Sequence, residues 1–131
     1  GAQNVGSALA LKKALKNAFS YKRLFLILGV MRDKDIDGVC RELGGITNYA
    51  VATTAKTERA CPPEIIKKKI LSYNSDIDVI TADSVAEAVE RCRKQASEED
   101  LILITGSLYV VAEAMQCFQN QASDSNVARF A

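Results

Sequence analysis

Residues 23–30 read RLFLILGV, a near-continuous apolar run that ends in Gly29 and Val30. A short run that is apolar at successive positions is typical of a strand buried on both faces of a sheet. Further strands are predicted at residues 47–53, 76–81 and 101–105, and segments with apolar residues at helical spacing lie between them. This alternation predicts an α/β domain in which a parallel sheet is covered by helices.

The predicted helices begin at recognisable residues. Asn4 suits the N-cap of a helix over residues 5–19, and Pro62, Pro63 and Glu64 suit the first turn of a helix that ends near Tyr73. Other helices are predicted from Lys34 or Asp35 to Gly44, after a capping-box pattern at Ser84 and Glu87, and over residues 107–118. The fold class is therefore a Rossmann-like, mostly parallel sheet with helices on both faces.

The two ends of the chain depart from this pattern. A doubly wound domain normally begins with a strand, but this chain begins with a turn and a helix, so we expect the first strand to be missing or truncated. After Asn120 the residues are small and polar. We therefore predict a domain over residues 1–120 and a flexible tail over residues 121–131.

Composition excludes several classes of protein. The 131 residues suit one domain, and 48% apolar with 25% charged residues is ordinary for a globular protein. A net charge of +1 gives no electrostatic reason to expect nucleic acid or an anionic membrane as partner. The apolar runs are too short to span a bilayer, and no secretory signal opens the chain, so we expect a cytoplasmic location.

The number and spacing of cysteine and histidine residues limit the metal sites and catalytic mechanisms that the chain can have. The chain has no histidine, and its four cysteines are dispersed without a CxxC pair. This spacing argues against a zinc or other metal site and favours reduced, mostly buried thiols. Without histidine, Ser-His-Asp and Cys-His mechanisms are excluded. We predict no catalytic residue within this chain.

Ligands of open α/β sheets bind outside the carboxyl ends of the strands. Five loops therefore become candidates for a site, at residues 1–4, 30–35, 54–63, 81–84 and 105–109. Neither GxGxxG nor GxxxxGK[ST] occurs, so the chain carries no P-loop of its own.

Two of these loops have polar residues with two possible roles. Arg32, Asp33, Lys34 and Asp35 alternate in charge, which suits a polar rim for nucleotide or phosphate. On the charge pattern alone we favour a solvated loop in which Asp33 or Asp35 caps the next helix. Ser107 follows Thr105 and Gly106 at a strand-to-helix turn, where a plain N-cap and a ligand contact are equally compatible with the pattern.

Four strings resemble elements of the folylpolyglutamate synthase/dihydrofolate synthase family, and they occur in family order at strand-to-helix junctions. GAQN at residues 1–4 resembles the Asp-Gly-Ala-His-Asn turn, and GVMRDKD at residues 29–35 resembles the Gly-x-x-x-Asp-Lys-Asp loop. Arg59, Ala60 and Pro63 resemble the Arg-Ala-x-x-Pro element, and TGSLY at residues 105–109 matches the Thr-Gly-Ser-Leu-Tyr turn. Over nearly the whole chain, this is similar to the C-terminal domain of such enzymes, in the Mur ligase superfamily.

The resemblance implies a reaction and a partner domain. In the family, ATP phosphorylates a folate or dihydropteroate carboxylate, and the amino group of L-glutamate then attacks the acyl phosphate. ATP and Mg²⁺ are implied for the full enzyme, held mainly by an N-terminal P-loop ATPase domain of the same chain. We expect no cofactor in this chain alone, no activity without the partner domain, and a monomer.

The resemblance also implies roles for individual residues. Ser107 and Gln3 would contact substrate, with Asn4 and Tyr109 beside them. The nucleotide side of the cleft would be lined by Arg32, Asp33, Lys34, Asp35 and Arg59.

Two departures from the family pattern leave the substrate open. Gln3 stands where the family usually has histidine, and Val5 stands where it often has proline. A glutamine amide can still donate a hydrogen bond but carries no charge. Two alternatives therefore remain: a Mur-type ligase domain with a different acceptor, and a stand-alone α/β binding or regulatory module.

Overall fold

A computed structural model describes residues 2–119 and 127–131. Within these residues, helices and strands follow one another in the order α1 (Val5–Ala18), β1 (Leu24–Gly29), α2 (Ile36–Gly44), β2 (Tyr49–Ala52), α3 (Pro63–Tyr73), β3 (Asp78–Thr81), α4 (Val85–Gln95), β4 (Leu101–Gly106), α5 (Leu108–Gln119) and β5 (Val127–Phe130). None of the described helices is long and apolar enough to cross a membrane.

The strands form one sheet in the order β3-β2-β1-β4-β5, and every described pair is parallel. Strand β1 lies at the centre and pairs with β4 along its full length, from Leu24 opposite Leu101 to Gly29 opposite Gly106. This arrangement confirms the predicted Rossmann-like α/β fold. It also places the carboxyl ends of β1 and β4 side by side in the middle of one sheet edge.

Both faces of the sheet are covered by helices, as predicted. Alternate residues of β1 point to opposite faces: Leu26 and Leu28 belong to a core with α1, α2 and α3, and Phe25 and Ile27 belong to a core with α4 and α5. All of these side chains are fully buried. The continuous apolar run at residues 24–28 is explained by this burial on two sides.

Helix α1 is the first element of the described residues. Helix α1 packs against α2 at a tight contact. A Cβ atom added to Gly38 would lie 2.2 Å from Cγ2 of Val5, so a larger residue there would require the side chain of Val5 to shift.

The predicted tail over residues 121–131 is wrong at its end. Residues 120–126 lie outside the described residues, but Val127–Phe130 form β5, which pairs with β4 from Leu101 to Ile104. The ring of Phe130 packs edge-on against Phe118 of α5 at 5.5 Å between centroids. These contacts depend on the tertiary structure, and a segment of four residues is too short for its apolar spacing to indicate a strand.

Candidate functional site at the carboxyl edge of the sheet

The turn after β4 is built around Gly106, whose φ is +112°. A Cβ atom here would lie 2.0 Å from the carbonyl oxygen of Gly29, so the turn requires glycine. The same oxygen accepts a hydrogen bond from the backbone N–H of Ser107 at 2.8 Å. The end of β1 and the start of α5 are therefore fixed to each other.

The N-terminal turn, which precedes α1, is attached to the end of β4. The backbone N–H of Ala2 donates to Oγ1 of Thr105 at 3.2 Å, and both residues are buried. This contact holds Gln3 and Asn4 beside the end of β4. The Oε1 atom of Gln3 is buried and accepts no hydrogen bond from the described residues.

Three of the helices that begin at this edge, α1, α2 and α5, start near the ends of β1 and β4, and each has a side-chain N-cap. Asn4 accepts a hydrogen bond from the N–H of Ser7 at 2.8 Å, Asp35 accepts from Gly38 at 3.0 Å, and Ser107 accepts from Val110 at 3.1 Å. Helix N-termini carry partial positive charge and unpaired N–H groups. Three of them around one edge favour a ligand with carboxylate or phosphate groups.

The loops after β1 and β2 pair with each other next to these helix starts. The N–H of Arg32 donates to the carbonyl of Arg59 at 2.8 Å, and the N–H of Cys61 donates to the carbonyl of Val30 at 2.8 Å. The Arg32 guanidinium donates to the carbonyl of Glu58. These bonds give the charged loop at residues 30–35 a defined position.

A shallow cavity of about 230 Å³ opens between these loops and is lined by Arg32, Asp33 and Arg59. The Arg59 guanidinium lies 3.8 Å from the Asp33 carboxylate, and Nζ of Lys34 lies 3.9 Å from it. Both pairs are exposed, so each contributes little to stability and can exchange for a charged ligand.

The structure assigns definite positions to the residues predicted from sequence. It brings Arg32, Asp33, Lys34 and Arg59 together in the charged loops. Asp35 caps α2, which is the role favoured by the charge pattern alone. Gln3 and Asn4 follow Ala2, which is bonded to Thr105, and the N–H of Ser107 is bonded to Gly29, so these residues lie near the ends of β1 and β4. The side chain of Tyr109 is 54% exposed in the first turn of α5, open to a partner at this edge.

Sequence reasoning missed the contribution of Thr105, which fixes the N-terminal turn through its hydroxyl. A fully buried hydroxyl must find a partner, and a polar residue at the end of an apolar strand is the available signal. The partner, 103 residues away in sequence, could not be deduced without the fold.

Cys61 lies in the loop after β2, beside the charged loop, whereas Cys40 and Cys92 lie within the two cores. Cys40, Cys61 and Cys92 are buried, and burial raises the pKa of Cys40 and Cys92 to about 12. A neutral, buried thiol is a poor nucleophile. Over residues 2–119 and 127–131, no group of three or more Cys, Asp or Glu side chains is placed to hold a metal ion.

The fold and the site together define an α/β domain that presents helix N-termini and charged loops at the carboxyl edge of its sheet. Residues 1–108 match the sequence model of one family, described as the Mur ligase, glutamate ligase domain. This chain belongs to that family.

Individual relatives have consistent names. The chain is 28% identical, over 87% of its length and 26% of the relative's, to a dihydrofolate synthase/folylpolyglutamate synthase of Buchnera aphidicola subsp. Schizaphis graminum. It is 35% identical, over 87% of its length and 13% of the relative's, to a probable bifunctional folylpolyglutamate synthase/dihydropteroate synthase of Haloferax volcanii.

A solved structure confirms the fold. E. coli FolC in complex with DHPP and ADP superposes with a TM-score of 0.82 at 24% identity, covering 93% of this chain and 28% of FolC. The chain therefore spans about a quarter or less of the length of these relatives.

Proposed function

We propose that this chain is the C-terminal domain of an ATP-dependent ligase that adds L-glutamate to folate or dihydropteroate. The observation that supports this most strongly is the cluster of Gln3, Asn4 and Ser107 at the joined ends of β1 and β4. Polar side chains and helix N-termini there suit the carboxylates of an amino acid. The family and the names of the relatives indicate which amino acid it is.

The proposed reaction passes through an acyl phosphate. The γ-phosphoryl group of ATP moves to the folate carboxylate, and ADP leaves. The amino group of glutamate then attacks the carbonyl carbon, which forms the amide and expels phosphate. The contribution of this domain is to orient glutamate and to exclude water when it closes on its partner domain.

Ser107 is suited to hold a glutamate carboxylate. Its Oγ atom accepts a hydrogen bond from the N–H of Val110, which leaves the hydroxyl proton free to donate to a ligand. The residue is only 2% exposed, so little water competes for that proton. Gln3 and Tyr109 would supply further hydrogen bonds from either side.

ATP and Mg²⁺ would be held mainly by an N-terminal P-loop ATPase domain of the same, longer chain. The donor set at residues 30–35 is mixed: Asp33 lies near Arg59 and Lys34, and Asp35 is used as a cap. This set suits phosphate oxygens better than a metal ion. We therefore assign Arg32, Lys34 and Arg59 to the nucleotide side of the cleft, as residues that offset phosphate charge.

Gln3 supports a second candidate, a Mur-type ligase domain with a different acceptor. Its buried Oε1 atom has no described partner, and the side chain is neutral where the family usually has histidine. A substrate with a different hydrogen-bonding group at this point would suit it. For either ligase we propose a cytoplasmic monomer.

The test uses the native protein that contains this chain. An antibody raised against the chain should detect a protein roughly three times its length, and that protein should incorporate L-glutamate into folate or dihydropteroate only with ATP. The 131-residue chain alone should show neither ATPase nor ligase activity. A native protein of the chain's own size, or ligation by the chain alone, would overturn the proposal in favour of a binding module or a one-domain enzyme.

A further inference from the structure

Helix α1 has an exposed face with an unusual composition. Leu9 is 45% exposed, and together with four neighbouring residues it lines an open cavity of about 570 Å³. We call this face the α1 patch, and its residues are Leu9, Ala10, Lys12, Lys13 and Lys16. The helix contains three lysines and no acidic residue.

Another helix of the same chain shows how charge is usually balanced. In α4, Glu87 lies 3.5 Å from Arg91 and Glu90 lies 3.8 Å from Lys94, both at i,i+4 spacing. Such pairs stabilise an exposed helix, whereas like charges at this spacing destabilise it.

The α1 patch has the opposite arrangement. Lys12 and Lys16 are four residues apart, and Lys13 and Lys16 are three apart, so like charges are neighbours on the helix surface. Lys12 has an acidic partner in α2, Glu42, at 3.6 Å. An anionic ligand along the patch would relieve the remaining repulsion.

The patch leads directly away from the proposed glutamate site. Helix α1 begins beside Asn4, and a helix rises about 1.5 Å per residue. Leu9 therefore lies roughly 8 Å and Lys16 roughly 18 Å from Asn4 along the helix axis. A ligand that extends from the site along this helix would meet Leu9 first and the lysines afterwards.

We propose that the α1 patch binds the γ-linked glutamate tail of a polyglutamylated folate, an inference that rests on the proposed function and deepens it. Each γ-linked unit carries one free carboxylate and two methylene groups in its main chain. The lysines match the carboxylates, and Leu9 and Ala10 match the methylene groups. The interaction is non-covalent and is screened by salt.

Binding is tested by titrating this chain with an oligo-γ-L-glutamate while the backbone amides are followed by NMR. The signals of α1 should shift at low salt and shift less as salt is added. An α-linked oligo-L-glutamate of equal length has the carboxylates but a different main chain, so it should bind more weakly. Equal binding of both oligomers, tighter binding of vesicles that contain phosphatidylserine, or shifts confined to other helices would overturn the proposal.

The matched variants remove two charges each. Lys13→Gln with Lys16→Gln should weaken binding of the γ-linked oligomer roughly tenfold or more, because two cations that would pair with its carboxylates are removed. Lys67→Gln with Lys68→Gln on α3 makes the same change in net charge away from the patch, and should leave binding nearly unaltered. An equal loss of affinity for the oligomer in the two double variants would show a non-specific charge effect and would overturn the proposal.

Kinetic measurements on the native ligase distinguish a failure of this inference from a failure of the proposed function. There, Lys13→Gln with Lys16→Gln should raise KM for a folate with several glutamates and leave KM for a folate with one glutamate unchanged. If the wild-type protein ligates glutamate neither to these folates nor to dihydropteroate, the proposed function fails. If it ligates glutamate only to dihydropteroate, the function stands and the tail site fails. If it ligates both folates and the variant treats both as wild type does, the function stands and the tail site fails.

Discussion

Asn4, Asp35 and Ser107 each use one side-chain oxygen to accept a backbone hydrogen bond at the start of a helix. Because this oxygen already accepts a hydrogen bond, each side chain has fewer donors and acceptors left for a ligand. Ser107 keeps a hydroxyl proton, whereas Asp35 keeps only further acceptor capacity. A substrate carboxylate can therefore be held by Ser107 but not by Asp35.

At the same scale, Gly106→Ala should unfold or severely destabilise the domain. The left-handed φ and the contact with the Gly29 oxygen make any side chain strained, at a cost of about 3 kcal/mol or more. Gly6→Ala is the control, because a Cβ there meets Oδ1 of Asn4 at an ordinary 3.4 Å and should change stability little. Urea unfolding measures both, and a Gly106→Ala variant as stable as wild type would contradict this geometry.

At the scale of elements, most helices and strands could be predicted because their apolar spacing is strong. Ser84 accepts a hydrogen bond from Glu87 at 3.1 Å, as the capping-box pattern predicted. The second hydrogen bond of the capping box differs, because the Glu87 carboxylate accepts from the backbone N–H of Asp83 rather than from that of Ser84. Strand β5 could not be predicted, because Val127–Phe130 acquire their strand conformation from the neighbouring edge of β4.

Two substitutions at the start of α2 test whether the main role of Asp35 is to cap the helix rather than to line the cleft. Asp35→Ala should lower the free energy of unfolding by about 1 kcal/mol, because the N–H of Gly38 loses its cap. Asp35→Ser keeps a capping oxygen and should lower the free energy of unfolding by only about a few tenths of a kcal/mol. Chemical denaturation of the two variants is the measurement, and equal losses would show that the charge matters more than the cap.

At the scale of the whole molecule, the two edges of the sheet have different roles. The carboxyl edge gathers the candidate site, whereas the amino edge is held by Asp100, which is 2% exposed. Asp100 accepts hydrogen bonds from Arg23 at 2.7 Å and from the N–H of Ser97 at 2.8 Å. Burial raises the pKa of the Asp100 carboxyl, but these hydrogen bonds and the Arg23 charge outweigh it, so its pKa lies below the ordinary 3.8.

This shift predicts a contribution to stability that is lost in acid. Because the folded pKa is depressed, the contribution is complete above about pH 4 and disappears as pH falls through the lower, folded pKa. Asp100→Asn should therefore cost about 2 kcal/mol at pH 7, and the gap to wild type should narrow below pH 4. Asp78→Asn, at an exposed carboxylate, is the control. A gap that stays constant down to pH 2 would contradict the assignment.

The overall fold was more predictable than the site. Burial on two faces leaves a strong pattern at residues 23–30, whereas the functional roles of Ser107 and the charged loop rest on motif resemblance and stay predictions. The contact between Ala2 and Thr105 joins distant parts of the chain, and no local pattern specifies it. The contacts of Asp33 with Lys34 and Arg59 likewise depend on how the two loops pair.

The most direct test of the central claim is the KM for L-glutamate of the native protein that contains this chain, measured after the Ser107 hydroxyl is removed. Ser107→Gly is the best variant, because glycine at an N-cap costs only a few tenths of a kcal/mol, whereas Ser107→Ala costs about 1 kcal/mol. Loss of a hydrogen bond to a carboxylate should raise KM for glutamate roughly tenfold or more and leave KM for ATP nearly unchanged. Equal changes in both constants, or none in either, would contradict a role for this edge in holding glutamate.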